Sequence, residues 1–270
     1  MNKKVILAYI VLIICILLLV ASYTQWKDKL SSFGQQSPTT VSSPKPDTES
    51  DGVKESLKPE QAIEQLLTLT THQDKQVQEV FRNRLKAGEK VNFLITGSSL
   101  MDYGEPGYAE RLKTALVAAY GDYITVTAIG FDATSQQFTD KLAEEQIDLS
   151  IGYDVILFEP FTLNNNGLVA IEDGHAHINT FRTRLKEHVK DAVIVLHPPN
   201  PIYAATYYPA QVTALKSFAE AEGIPYVNHW TNWPDQATEE ILSLLGDKSM
   251  PNSDGAEVWA NTLITYFIAN

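Results

Sequence analysis

The chain has 270 residues, with 33 acidic and 21 basic side chains for a formal net charge of −12, and one cysteine. So acidic a surface argues against nucleic acid, whose phosphates need a basic partner, and against close contact of the domain with anionic headgroups. The lone cysteine, Cys15, sits near the N-terminus, so the remainder carries no disulfide and no Cys-based metal site.

The elements follow in chain order. Residues 1–4 form a short tail with Lys3 and Lys4, and Val5 to Ala21 is an uncharged run of mostly Ile, Leu and Val. With Ser22 and Tyr23 it reaches the roughly 20 residues that cross a bilayer. The preceding lysines favour a cytoplasmic N-terminus, and Tyr23 and Trp26 suit the far interface. Residues 5–23 are therefore expected to be a single-pass transmembrane anchor, with the rest of the chain extracytoplasmic. A cleavable signal peptide ending near Ala21 is the alternative. Residues 24–58, most sharply from Ser31, are rich in Ser, Thr, Pro, Gln and Asp; so little apolar surface predicts a disordered stalk.

Residues 59–90 read as a helical segment, with Ile63, Leu66, Leu67, Val77, Val80 and Phe81 at helical spacing and Gly88 as a stop. From Val91 to Asn270, short apolar runs alternate with amphipathic helices. Strands are expected at Val91–Thr96, Ile124–Ile129, Asp154–Phe161, Ala192–Leu196 and Pro225–Asn228. Helices are expected near Tyr108–Tyr120, Ser135–Glu145, Ile178–Val189, Ala210–Glu222 and Ala256–Phe267. This alternation predicts a three-layer α/β/α domain with about five parallel strands in a flavodoxin-like arrangement. In such sheets ligands bind beyond the carboxyl ends of the strands. Gly97, Ser98 and Ser99 follow the first strand, Gly130 the second, Asn164 the third, His197 the fourth and His229 the fifth. A serine at a tight strand-to-helix turn can serve as a nucleophile beside backbone amides that hold an oxyanion, or it can simply cap the next helix.

These blocks resemble those of the SGNH/GDSL hydrolases. Leu94–Leu100 occupies the place of the family's strand ending in Gly-Asp-Ser-Leu, which puts the nucleophile at Ser99 and Ser98 at the usual Asp. Gly130 matches the second-block glycine, whose amide helps form the oxyanion hole. Glu159–Gly167 matches the block that usually reads Gly-x-Asn-Asp, with Phe161 near the glycine slot, Asn164 as oxyanion asparagine and Asn166 as runner-up. The last family block reads Asp-x-x-His-Pro-Asn; here Asp247, Lys248, Ser249, Met250, Pro251 and Asn252 stand there, followed by Gly255 and the Trp259-Ala260 pair. Asp247 keeps its place, but a thioether replaces the base and cannot take a proton from serine.

His197 and His229 are the candidate replacement bases, each with a structural reading as a buried, hydrogen-bonded imidazole. His72 and His188 are expected on the surface. His175, His177 and Asp173 form at most a weak zinc pattern, and no metal or other cofactor is expected. Trp230, Trp233, Tyr203, Tyr207 and Tyr208 either pack the loops or line a cleft for a sugar or acyl chain. The resemblance implies a serine esterase acting on an acyl or acetyl ester of an envelope glycan or lipid, or an acyltransferase using the same groups. A degenerate module that binds a wall polymer without turnover is the rival.

Overall fold

The computed structural model describes residues 59–269. The expected anchor (5–23) and stalk (24–58) lie outside the described residues, among which no helix is long and apolar enough to cross a membrane. Four apolar runs form the sheet: β1 (Val91–Ser98), β2 (Ile124–Phe131), β3 (Val155–Phe158) and β4 (Val193–Leu196). All pairings are parallel, in the order β2-β1-β3-β4. Every residue of β3 is buried, as expected of a central parallel strand covered on both faces, whereas edge strand β2 is mostly half-exposed.

The fifth strand expected at Pro225–Asn228 is not formed as a strand. One parallel bridge joins Leu196 to Tyr226. Pro225 has no N–H to give a ladder, and Asn228 already turns the chain by accepting from the Trp230 N–H at 3.3 Å. The sheet therefore has four strands rather than five.

Alternation along each strand divides the core in two. Phe93, Ile95, Val155 and Leu157 face one side, covered by α1 (Pro59–Thr68), α2 (Lys75–Lys86), α3 (Tyr108–Tyr120) and, near the C-terminus, the helix Ser253–Phe267. Leu94, Ile156, Phe158 and Ile194 face the other. That side is covered by α4 (Ser135–Gln137), a π turn (Phe138–Leu142), α5 (Ala143–Gln146), α6 (Ile171–His188) and α7 (Tyr208–Glu222). The helix Ser253–Phe267 is α8 below.

The helical segment 59–90 consists of two helices. Between them the Thr70 and Thr71 hydroxyls bond back to the Leu67 and Thr68 carbonyls and compete with helix propagation. In α2, Val77, Phe81 and Leu85 are wholly buried, so this N-terminal addition is part of the core.

Candidate active site

The strand order places the switch point between β1 and β3, where a doubly wound sheet opens a crevice. Gly97 sits there at φ +151°, and a Cβ on it would lie 2.4 Å from the Glu159 carbonyl oxygen. The exits of β1 and β3 are therefore too close for any side chain at this position.

The two serines that follow have different fates. Ser98 is buried, and both its N–H (3.0 Å) and its hydroxyl donate to the Glu159 carboxylate. The other Glu159 oxygen accepts from the Thr162 N–H at 3.3 Å. Burial raises the Glu159 pKa to about 7, against the opposing pull of the Ser98 bonds. Ser99 opens a 3₁₀ turn, Ser99–Asp102, and is only half-buried; among the described residues its hydroxyl has no hydrogen-bond partner.

Gly130 lies in β2 directly in register with Gly97. A Cβ on Gly130 would sit 2.8 Å from the Met101 sulfur and 3.2 Å from Asp102 Oδ2, so the 3₁₀ turn rests against the bare glycine. Of the three consecutive asparagines, Asn164 donates to the Ala133 carbonyl at 2.9 Å and uses one of its two N–H groups. Asn165 is buried and clamps Ser135, accepting from its N–H and donating to its hydroxyl, both at 2.9 Å. Asn166 is tied to Gln211 at 3.2 Å. Phe161 adopts φ +61°, the left-handed conformation that favours glycine, while its ring fills the core beside Phe138 and Phe158.

The imidazoles face inward. His229 is fully buried; its Nε2 lies 2.8 Å from the Pro198 carbonyl and its Nδ1 accepts from the Trp233 indole at 3.0 Å. That pattern fixes one neutral tautomer and leaves no nitrogen for a serine. Burial lowers its pKa to about 3. His197 is also fully buried, under Tyr108 and Trp259, with Nδ1 3.3 Å from the Trp259 indole nitrogen. Burial, then His229, push its pKa well below the ordinary value, and its Nε2 has no partner among the described residues. Both read as structural imidazoles of one aromatic stack, in which Trp259 lies between Tyr108 (4.1 Å) and His229 (4.5 Å).

The segment aligned with the family's acid–base block is solvent-facing at Asp247, whose carboxylate has no hydrogen-bond partner among the described residues. Met250 is half-buried and packs on the core. Asn200 steadies this loop by donating to the Ser249 carbonyl at 3.0 Å.

His175 stacks on Phe218 at 4.3 Å, whereas His177 pairs with the Ser135 hydroxyl at 2.9 Å, so the two diverge. Among the described residues no group of three His, Cys, Asp or Glu side chains gathers to hold a metal. Of the loop aromatics, Tyr208 and Trp233 are buried, and the Trp230 indole donates to the Pro199 carbonyl at 2.7 Å. Tyr203 and Tyr207 are exposed.

Reading the sequence missed Glu159 and Asp102. Glu159 is a carboxylate ending an apolar strand at the carboxyl edge, a placement that asks for a partner. Asp102 stands three residues beyond Ser99, one 3₁₀ turn away.

No family model and no curated protein matches the chain. Solved structures do. An α/β hydrolase enzyme from the metagenome of Lake Arreo, Spain, aligns at 15% identity and TM-score 0.52, over 66% of this chain and 94% of that one. An acetylxylan esterase from Geobacillus stearothermophilus aligns at 16% identity and TM-score 0.51, over 66% and 94%. A protein assigned to the G-D-S-L lipolytic family from Desulfitobacterium hafniense gives 15% and 0.51, over 66% and 99%. This chain has the fold of the SGNH/GDSL hydrolases, and it spans nearly the whole of each of these proteins.

Proposed function

We propose that this domain is a divergent GDSL-type serine esterase. It removes an acyl or acetyl group from a glycan or lipid of the cell envelope, where the N-terminal apolar run holds it. The observation that carries this reading is the different treatment of the two serines. Ser98 is locked onto Glu159, and Ser99 is left half-buried and unpartnered at the switch point. A backbone forced into place by Gly97 thus offers one hydroxyl to the crevice. Ser99 attacks the ester carbonyl, and the Ser99 and Gly130 N–H groups with the Asn164 amide meet the oxyanion. Acyl transfer to a carbohydrate hydroxyl runs on the same groups with a different acceptor.

The test is hydrolysis of p-nitrophenyl acetate by the full chain and by Ser99→Ala. A loss of about 100-fold or more is expected on removing the nucleophile. Equal rates would rule out the enzyme.

A second reading, a binding module without turnover, draws on Met250 and on the inward commitment of His197 and His229. It predicts retention of an envelope polysaccharide by both wild type and Ser99→Ala, with no product formed by either.

A further inference from the structure

The serine reading leaves one chemical gap: something must take the Ser99 proton. Met250 is a thioether, His229 is bonded at both nitrogens, and His197 is wholly buried under Tyr108 and Trp259. A carboxylate stands closer in the chain.

In a 3₁₀ helix the side chains at i and i+3 eclipse, so within the turn Ser99–Asp102 the first and last residues share one face. The placement of Asp102 agrees, because its Oδ2 lies 3.2 Å from the Cβ position of Gly130, the glycine opposite Gly97. The carboxylate therefore lies over the glycine of the crevice and not out along α3.

The segment that carries Asp102 also touches the loop that should have brought an imidazole. A Cβ on Gly104 would lie 2.7 Å from the Asn252 carbonyl oxygen, and the Ser253 hydroxyl donates to the Gly104 carbonyl at 2.6 Å. The turn that ends at Asn252 and the Asp102–Gly104 turn thus meet. Tyr108 of α3 feels this carboxylate: burial, then Glu159, then Asp102 hold its hydroxyl well above its ordinary pKa. Partial burial of its carboxyl pushes Asp102 up from its ordinary pKa, although the residue as a whole is exposed.

We propose that Asp102 is the general base of this site, doing from the nucleophile's own turn what a histidine does in the family pattern. This rests on the serine reading above. Asp102 accepts the Ser99 hydroxyl proton as Oγ bonds to the carbonyl carbon. The tetrahedral adduct collapses by breaking the bond to the leaving oxygen, which takes that proton from Asp102. Water then attacks the acyl-enzyme, giving a proton to Asp102, which returns it to Ser99 Oγ as the acid is released. Protons and electrons balance, and no other co-reactant enters.

The full chain is assayed on p-nitrophenyl acetate as wild type, Ser99→Ala, Asp102→Asn and Asp102→Ala, with thermal melts to show that each is folded. Asp102→Asn should lose about 100-fold or more in kcat at unchanged melting temperature, within the range a general base supplies. Added formate should restore part of the Asp102→Ala rate, saturating with concentration, and should not restore Ser99→Ala. The acid limb of the wild-type pH–rate profile should also be absent from Asp102→Asn. If Ser99→Ala is inactive while Asp102→Asn keeps the wild-type rate and pH profile, the base is another group and this proposal fails while the serine reading stands. If Ser99→Ala matches wild type, both fail.

Discussion

The two sides of the crevice are built by different means. Around Ser99, the strand ends dictate position: Gly97 lets β1 press on the Glu159 backbone, Glu159 ties down Ser98, and Gly130 lies in register across β2. The loop Asp247–Asn252 instead keeps its frame through backbone bonds, including Gly246 N–H to the Met250 carbonyl at 2.7 Å, while the side chain at the family's histidine position is apolar. A geometry enforced by parallel strands persists because any change there disrupts the core. A loop held by its own backbone tolerates a new side chain at its tip. The region around Ser99 thus depends on packing, whereas the region around Met250 depends on single side chains.

The strongest way to break the packed half is Gly97→Ala. The added methyl would meet the Glu159 carbonyl at 2.4 Å and the Glu159 Cβ at 2.7 Å, in a backbone conformation at φ +151° that alanine avoids. Overpacking plus backbone strain should cost about 3–5 kcal/mol, read as a lower urea midpoint. An unchanged midpoint would mean that β1 and β3 can separate freely.

Next in size is the titration of Glu159. Its pKa is raised from 4.5 to about 7 in the fold, so the folded state holds its proton more tightly than the unfolded chain. Its contribution is therefore most favourable below pH 4.5 and is lost as pH rises to about 7. Glu159→Gln removes this dependence, so the variant should gain on wild type by roughly 3 kcal/mol between about pH 4 and about pH 8. Urea unfolding at the two pH values checks it; a constant difference would place the titration elsewhere.

Much of this was legible in the sequence, for identifiable reasons. Helix α3 matches the expected Tyr108–Tyr120, and β1, β2 and β4 were visible as apolar runs between helical periods. Gly97 was visible because its close approach to the Glu159 backbone demands that residue type, whereas Ser99 and Gly130 were expected from the family pattern. Phe161 shows the limit: the glycine conformation survives at φ +61° under a buried aromatic ring, and no pattern of residue types reveals that. Whether a histidine ending a strand points into a crevice or a core was equally hidden. For His197 and His229 the ring contact with Trp259, edge-on to the first and stacked on the second, decides it, and that partner lies far along the chain. Asp102 was overlooked because its relation to Ser99 is a property of a 3₁₀ turn, which has no hydrophobic period to announce it.

The single-side-chain half can be sharpened by adding what it lacks. Met250→His should raise kcat/KM on p-nitrophenyl acetate at least about tenfold, because the turn is already braced by Asn200 and Asp247 stands three residues before it. In that background Asp102→Asn should cost less than it does in wild type, since two bases would then serve one serine. A folded Met250→His chain with no gain would show that the imaginary imidazole does not reach Ser99.

The smallest expected effect concerns the asparagine loop, which lies between the two modes of construction. Asn165 accepts from the Ser135 N–H and donates to its hydroxyl, which also pairs with His177 Nδ1. The loop after β3 is thereby pinned to the start of α4. Asn165→Ala leaves a buried N–H and hydroxyl without that partner and should cost about 1–2 kcal/mol by urea unfolding. If the clamp also holds the neighbouring Asn164 toward the oxyanion, kcat on p-nitrophenyl acetate falls while KM holds. A loss of stability with kcat intact would assign the clamp to the fold alone, and Asn164 would then owe its position to its own bond with Ala133.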